Sequence, residues 1–424
     1  MRLAFTPLSM LIFALCMSYF TYAKPRVLMG SVTTTNTQES SVSILYRPAT
    51  KAELKDLVSN PHVFLGDIDT SLITDMSALF KNSSRRDFSG IESWAVGQVT
   101  NMYAMFDKAV YFNANINSWD VSKVTNMEYM FADAIRFNQD LDGWDTSSVE
   151  SMQGLFAGAT SFNKPIGNWD VRKVKYMNEM FANATSFNQN LSRWKTRSLE
   201  GIRGMFYGAT SFNQDINDWD TSALRSMMDA FKNATSFNKP LDKWRISKVK
   251  SLQGVFEGAT SFNQNINDWD VSYVRNMSSL FKNATSFNRP LDRWDVSRVS
   301  NMSEMFAGAT SFNKPLKRWN VSRVTTMNGM FRDAYSFNQP LDSWNVVDVW
   351  NLSYMFNNAI SFNQPLPFWR VSMVRYMDST FEGALSFDQN LDNWDTSRVK
   401  SMQDIFKNSG MTSLPRWHKG RAKK

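Results

Sequence analysis

The chain reads as an α/β repeat solenoid of about 14 coils, with one short strand and one short helix in each 25-residue coil. Three observations predict it. Tryptophan stands at constant spacing, at Trp94, Trp119, Trp144, Trp169, Trp194, Trp219, Trp244, Trp269, Trp294, Trp319, Trp344, Trp369 and Trp394. Phenylalanine recurs with the same period from Phe112 to Phe387. Asparagine follows it directly, from Asn113 to Asn363. A fixed period of this size means units that pack only on their neighbours. Length alone suggests two or three domains, but the unbroken period argues for one elongated domain.

In chain order, residues 1–23 read as a secretory signal peptide. Arg2 supplies a positive start, Leu8 to Phe20 is largely apolar, and Thr21-Tyr22-Ala23 is an acceptable cleavage site before Lys24. The rival reading is an uncleaved anchor, since residues 3–23 are just long enough to span a bilayer. Cys16, the single cysteine, lies inside this leader, so the mature chain has no disulfide. Residues 24–64 form an N-terminal flexible segment and a capping helix. The stretch 24–48 is rich in Ser and Thr. Thr50-Lys51-Ala52-Glu53 is a capping box that opens a helix through about Val58, ended by Asn60-Pro61.

The solenoid occupies residues 65–408. Its first coil has Ile68 in the tryptophan position, with Leu65, Ile73, Met76, Leu79 and Phe80 at the expected offsets. One residue is inserted before Trp94, in NSSRRDFSGIES. Within a regular coil, Leu141, Trp144, Thr146 and Val149 follow the leucine-rich-repeat spacing L-x-x-L-x-L-x-x-N, with Trp and Val in the second Leu and the Asn positions. Trp119 and Val121 alternate with Asp120, which predicts a strand. Val124, Met127, Met130, Phe131 and Ala134 fall at helical spacing, with Ser122 as the N-cap. Asp133, Gly158, Asn183, Gly208, Asn233, Gly258 and Asn283 then recur where a helix must end in the left-handed region. The asparagine column predicts a ladder that satisfies backbone groups at a bend. Pro165, Pro240, Pro290, Pro315, Pro340 and Pro365 place their position outside the strand pairing. A longer period of 50 is also visible: GATSFNQDINDWD at 208–220 returns as GATSFNQNINDWD at 258–270. Residues 409–424 form a degenerate C-terminal cap and basic tail, with Trp417 out of phase.

No constellation for catalysis, cofactor or metal binding is present. The two histidines, His62 and His418, sit at opposite ends. The column Asp120, Asp145, Asp170, Asp220, Asp270, Asp295 and Asp395 shares its row with Lys195, Arg245 and Arg370, which argues against calcium and for a solvated face with local capping roles. Asp218, Lys243, Asp268 and Arg293 alternate in sign and should pair across the stack. The column Thr160 to Thr310 closes turns through its hydroxyls, which makes ice binding a poor reading. Formal charge is +8, and the leader holds only Arg2 of it. Such a modest excess favours anionic glycans or cell surfaces. Nucleic acid is not expected as a partner, because the aromatic residues belong to core columns and are not free to stack on bases. Asn183, Asn233 and Asn283, three of nine N-x-Ser/Thr sequons, recur every 50 residues on one edge and are the N-glycosylation acceptors to consider.

The phrases WDVSKVTNMEYMF, FNQDLDGWDTS and WDVSRVSNMSEMFAGATSFN resemble the repeats of BspA-like leucine-rich-repeat surface proteins, and most closely the mycoplasma-type subclass. The resemblance covers about residues 65–408. It implies a secreted or cell-surface solenoid without catalytic residues, used in adhesion to a host or neighbouring-cell surface protein, matrix or glycan. No membrane span is expected once the leader is removed. The alternative is a self-associating structural coat protein. The degenerate units that bound the array speak against end-to-end growth.

Overall fold

The helix that opens the fold, α1 (Lys51–Ser59), is set by its capping box. The Thr50 side chain accepts from the Glu53 N–H, and the Glu53 carboxylate accepts from the Thr50 N–H. The structure, a computed structural model, describes residues 45–419. The expected leader, nearly all of the segment 24–48 and the last residues of the basic tail lie outside them. Leu54 and Val58 of α1 are buried against the first coil. Its polar face is used too, because Lys55 Nζ donates to the carbonyls of Ala78 and Leu79 at 2.7 and 2.8 Å. Those carbonyls belong to the first coil, which has no preceding coil to supply donors. The edge of the stack is therefore closed at this end.

The coils stack in parallel register, 25 residues apart. Single-residue parallel bridges run Asn101–Asn126–Ser151–Tyr176–Gly201–Ser226 and again from Ser251 to Ser401, with the step between Ser226 and Ser251 unbridged. The expected strand at Trp119–Val121 is displaced: pairing falls seven residues after each tryptophan, and Val124 N–H turns back to the Val121 carbonyl. The expected helix over Val124–Ala134 is also absent, and among the described residues no coil contains an α-helix. Instead, alternate amides leave the coil. The N–H groups of Tyr129, Phe131 and Asp133 donate to the carbonyls of Gln153, Leu155 and Ala157 at 2.8, 2.9 and 2.6 Å. The amides between them, on Met130, Ala132 and Ala134, close three-residue turns on Met127, Tyr129 and Phe131.

Two residues per coil adopt positive φ, Tyr129 at 56° and Asp133 at 52°. A left-handed residue in mid-segment breaks a helix. Consecutive turns bury Met127, Met130, Phe131 and Ala134 on one side just as a helix would. The left-handed position expected at Asp133, Gly158 and Asn183 is therefore correct, but it closes a turn and does not cap a helix. Even Lys108, the one residue in this column that is neither Gly, Asn nor Asp, has φ of 58°. Ser122 is not an N-cap either: its amide and hydroxyl both donate to Asp120 Oδ1, at 3.1 and 2.6 Å.

The core is a set of continuous columns. All thirteen expected tryptophans are at most 4% exposed. Trp94 and Trp119 stack with ring centroids 6.4 Å apart and planes 1° apart. Phe131 packs on Phe137 within its own coil at 4.2 Å and on Phe156 of the next at 5.5 Å. Each indole N–H then needs an acceptor. Trp119 Nε1 donates to the Ile91 carbonyl of the coil before at 3.1 Å, and Trp219 Nε1 to that of Leu191 at 3.1 Å. The asparagine ladder is present as expected. Asn138 Oδ1 accepts from the Asn163 amide at 3.0 Å, and the pattern repeats to Asn363, which receives the Asp388 amide at 3.1 Å.

At the C-terminal end the sequence phase is lost but the columns continue. Trp417 stacks on Trp394 and donates its indole N–H to the Leu391 carbonyl at 2.8 Å. Asp388 passes the asparagine ladder on to the Thr412 amide at 2.8 Å. The short helix α2 (Arg416–Lys419) closes the fold.

Candidate functional site

Where the columns are regular, surface side chains serve the stack. Asp220, Asp295 and Asp395 each accept from the amide two residues on, as Asp120 does, so the acidic column caps its own turns. Hydrogen bonds from Ser122, Ser222, Ser297 and Ser397 hold the carboxyls of Asp120, Asp220, Asp295 and Asp395 below the usual range. Lys243 meets Asp218 at 2.7 Å and Arg293 meets Asp268 at 2.5 Å, which are the cross-coil pairs expected from their alternating signs. The threonine column is likewise engaged: Thr260 Oγ1 donates to the Thr235 carbonyl at 3.4 Å. Asn183, Asn233 and Asn283 are exposed on one edge, each with positive φ. Among the described residues, no group of three or more His, Cys, Asp or Glu is placed to hold a metal ion.

The surface departs from this pattern at two places. Near the N-terminal end, where the extra residue was seen before Trp94, Arg85 turns inward and donates to the carbonyls of Asn60 and Asp87. Its neighbour Arg86 turns outward over the ring of Tyr111 at 4.7 Å, and Arg136 lies over the same ring at 4.9 Å.

The larger departure spans residues 335–385. Of the 16 large apolar side chains exposed among the described residues, seven lie here: Tyr335, Trp350, Tyr354, Ile360, Phe368, Met373 and Leu385. Tyr335, Ile360 and Leu385 occupy three successive coils of the threonine column and replace hydroxyls by an apolar strip. Trp350 stands on the ladder itself, its amide bonded to the Thr325 carbonyl at 2.9 Å, with its ring edge-on to Tyr376 at 6.0 Å. Sequence reasoning placed the tryptophans in the core and missed Trp350. The signal was available, since Trp350 falls outside the 25-residue phase. On the tryptophan side of the same coils lies a cleft of about 860 Å³ lined by Asp342, Asn345, Phe368, Arg370, Asn393 and Asp395 among others.

The stacked coils, with single-residue parallel bridges at nearly every step and continuous apolar columns, define a repeat solenoid of the leucine-rich-repeat class. The sequence matches the family described as "Mycoplasma protein of unknown function, DUF285" over residues 52–156, 136–244, 225–339 and 314–417. The chain belongs to this BspA-like repeat family. Among solved structures it is similar to a leucine-rich cell surface protein from Faecalibacterium prausnitzii, with 13% identity over 64% of this chain and 85% of that one and a TM-score of 0.31. It is also similar to a leucine-rich-repeat protein from Bacteroides ovatus, at 11% identity over 73% and 86% of the two chains, TM-score 0.26. A third likeness is to TLR13 in its complex with ssRNA13, at 10% identity over 85% and 52%, TM-score 0.25. At these scores no residue of the relatives is carried over to this chain. No curated protein matches the sequence. Among the described residues, no helix is long and apolar enough to cross a membrane.

Proposed function

We propose that the chain is a secreted or cell-surface, non-catalytic binding module that adheres to a host or neighbouring-cell surface protein, matrix or glycan. The observation that carries this is the exposed apolar strip formed by Tyr335, Ile360 and Leu385, one from each of three successive coils. Exposed apolar groups gathered on one part of a polar surface mark a contact region. Three coils of a rigid stack present them at fixed spacing, which limits the entropy lost on binding. The coat-protein alternative fits less well, because Lys55 occupies the Leu79 carbonyl, which a second copy would need for end-to-end growth.

The test is binding of the purified chain to intact cells and to a panel of matrix proteins and glycans, with light scattering on the same sample. Saturable binding by a monomer is expected. No binding, together with scattering that grows with concentration, overturns the reading in favour of an assembling coat.

A further inference from the structure

Three departures from the repeat meet at one edge of the solenoid. In regular coils, Asp142, Asp242 and Asp292 each accept a side-chain amide from the asparagine one coil back, Asn117, Asn217 and Asn267, at 3.0, 2.9 and 2.9 Å. At Asp342 that asparagine is replaced by Lys317, whose ammonium stands 4.0 Å from Oδ2. Asp342 Oδ1 is buried without a hydrogen-bond partner. One coil on, Leu366-Pro367-Phe368 stands where the following coil has Leu391-Asp392-Asn393, and the Phe368 ring is 73% exposed. The next tryptophan, Trp394, has a buried indole N–H with no acceptor. Its column-mates use the leucine or isoleucine carbonyl one coil back, and for Trp394 that carbonyl belongs to Leu366, whose backbone is restricted by Pro367.

These changes surround the cleft of about 860 Å³ that Asp342 and Phe368 both line. Without the asparagine amide of the regular coils, the half-exposed Asp342 carboxylate keeps acceptor capacity for a ligand hydroxyl. An exposed aromatic face attracts the partly positive C–H groups of a flat, partly apolar ring. A sugar ring combines a hydroxyl donor with such a face. Charge narrows the class: Arg370 in the cleft disfavours a cationic ligand, while Asp342 and Asp395 disfavour an anionic one. We propose that this cleft binds a neutral hexopyranose of a surface glycan, with the ring stacked on Phe368 and one hydroxyl donated to the exposed part of the Asp342 carboxylate. The assignment rests on the reading of the chain as an adhesion module and names the class of its ligand.

The experiment applies the purified full chain, Phe368→Ala, Phe368→Trp and Asp342→Ala to a printed panel of neutral and acidic oligosaccharides. The same four proteins are scored for binding to cells and matrix. Retention on neutral hexose-terminated glycans is expected, with a loss of tenfold or more in Phe368→Ala and Asp342→Ala and recovery in Phe368→Trp. Both truncations should fold, since one removes an exposed ring and the other a half-exposed carboxylate whose ion pair with Lys317 is long, at 4.0 Å; unfolding midpoints check this. Retention of acidic glycans only, or of none, overturns the proposal. So does neutral-glycan binding that Phe368→Ala leaves unchanged. Saturable cell or matrix binding that survives in Phe368→Ala would reject the cleft and leave the adhesion reading standing, whereas loss of all binding by the unaltered chain rejects both.

Discussion

Trp417 stacks on Trp394 with ring centroids 6.4 Å apart and planes 5° apart, the same contact that tryptophans one full repeat apart make. The last coil is two residues short of the repeat, so its phase is lost in sequence while its geometry is kept. The Leu391 carbonyl receives the Trp417 indole at 2.8 Å, and the Asp388 carboxylate receives the Thr412 amide and hydroxyl. The cap therefore reproduces two columns of the array with a shorter chain. This covers an apolar face that a further coil would otherwise bury.

The indole column separates two tryptophans that look identical in sequence. Trp219→Phe removes a hydrogen bond to the Leu191 carbonyl as well as ring area, and should cost about 1–3 kcal/mol. Trp394→Phe removes an N–H that is buried and unpaired, so its net cost should be smaller. Denaturant unfolding midpoints of the two variants check this. An equal or greater loss at Trp394 would show that its indole is satisfied in solution.

The asparagine ladder predicts an effect at a single acceptor. Asn238 Oδ1 accepts from the Asn263 amide at 2.9 Å and from Gln264 Nε2 at 2.8 Å. Asn238→Ala leaves the first of these donors without its partner inside the bend and should cost about 1–3 kcal/mol. Hydrogen exchange at the Asn263 amide should rise more than at Asn188, two rungs away. Uniform exchange along the column would mean the ladder does not protect these amides.

Gly208 has φ of +64°, and a Cβ placed there would lie 2.3 Å from Asn183 Oδ1 of the coil before. Gly208→Ala should therefore destabilise by at least the roughly 1–2 kcal/mol of a left-handed alanine. In the double variant with Asn183→Gly, the steric part should be recovered and the backbone part should remain. A double variant no more stable than Gly208→Ala would show that the side chain simply moves aside.

Acid should weaken the stack in a particular way. Serine hydrogen bonds hold the carboxyls of Asp120, Asp220, Asp295 and Asp395 below their unfolded value in the folded protein. The unfolded state then binds more protons over that range, so stability rises with pH. The contribution is fully present above the unfolded pKa, near about 3.9, and is lost as pH falls through the lower folded values. Replacing Ser122, Ser222, Ser297 and Ser397 together by alanine should flatten the dependence of the urea midpoint on pH below about 4. An acid limb as steep as that of the unaltered chain would place the depression elsewhere.

The columns were legible because burial dictates residue type directly. A position packed on identical neighbours above and below must stay tryptophan or phenylalanine, and a half-buried bend must keep an acceptor. The helix was misread for an equally physical reason. Met127, Met130, Phe131 and Ala134 sit at intervals that a helix and a run of stacked turns bury alike. The discriminating clue lay at the Tyr129 position, which becomes Gly154, Gly204, Gly254 and Gly329 in other coils. Glycine recurring in mid-segment is costly for a helix and natural for a left-handed turn residue. The cleft was illegible because Lys317, Pro367 and Phe368 are single departures, each innocuous alone. Only stacking brings Lys317 beside Asp342 and Phe368 to the edge of the same coils.

The fit of Asn183 over Gly208 also bears on how such a chain can lengthen. Asn233 leans over Gly258 and Asn283 over Gly308 in the same way, so a large and a missing side chain alternate along that edge. An array of this kind has parity. Copying two coils at once preserves every junction, whereas copying one sets two side chains face to face. The chain shows both outcomes. Its middle repeats with the period of a coil pair, and at Asp333 and Asn358 the parity slips. There the clash is avoided because Asn358 Nδ2 donates to Asp333 Oδ1 at 2.9 Å. In the middle of this edge the unit of inheritance is the pair of coils; parity is also broken at Lys108 and Asp133, two successive large residues of the same column, and at Asn358 the odd contact has become a hydrogen bond.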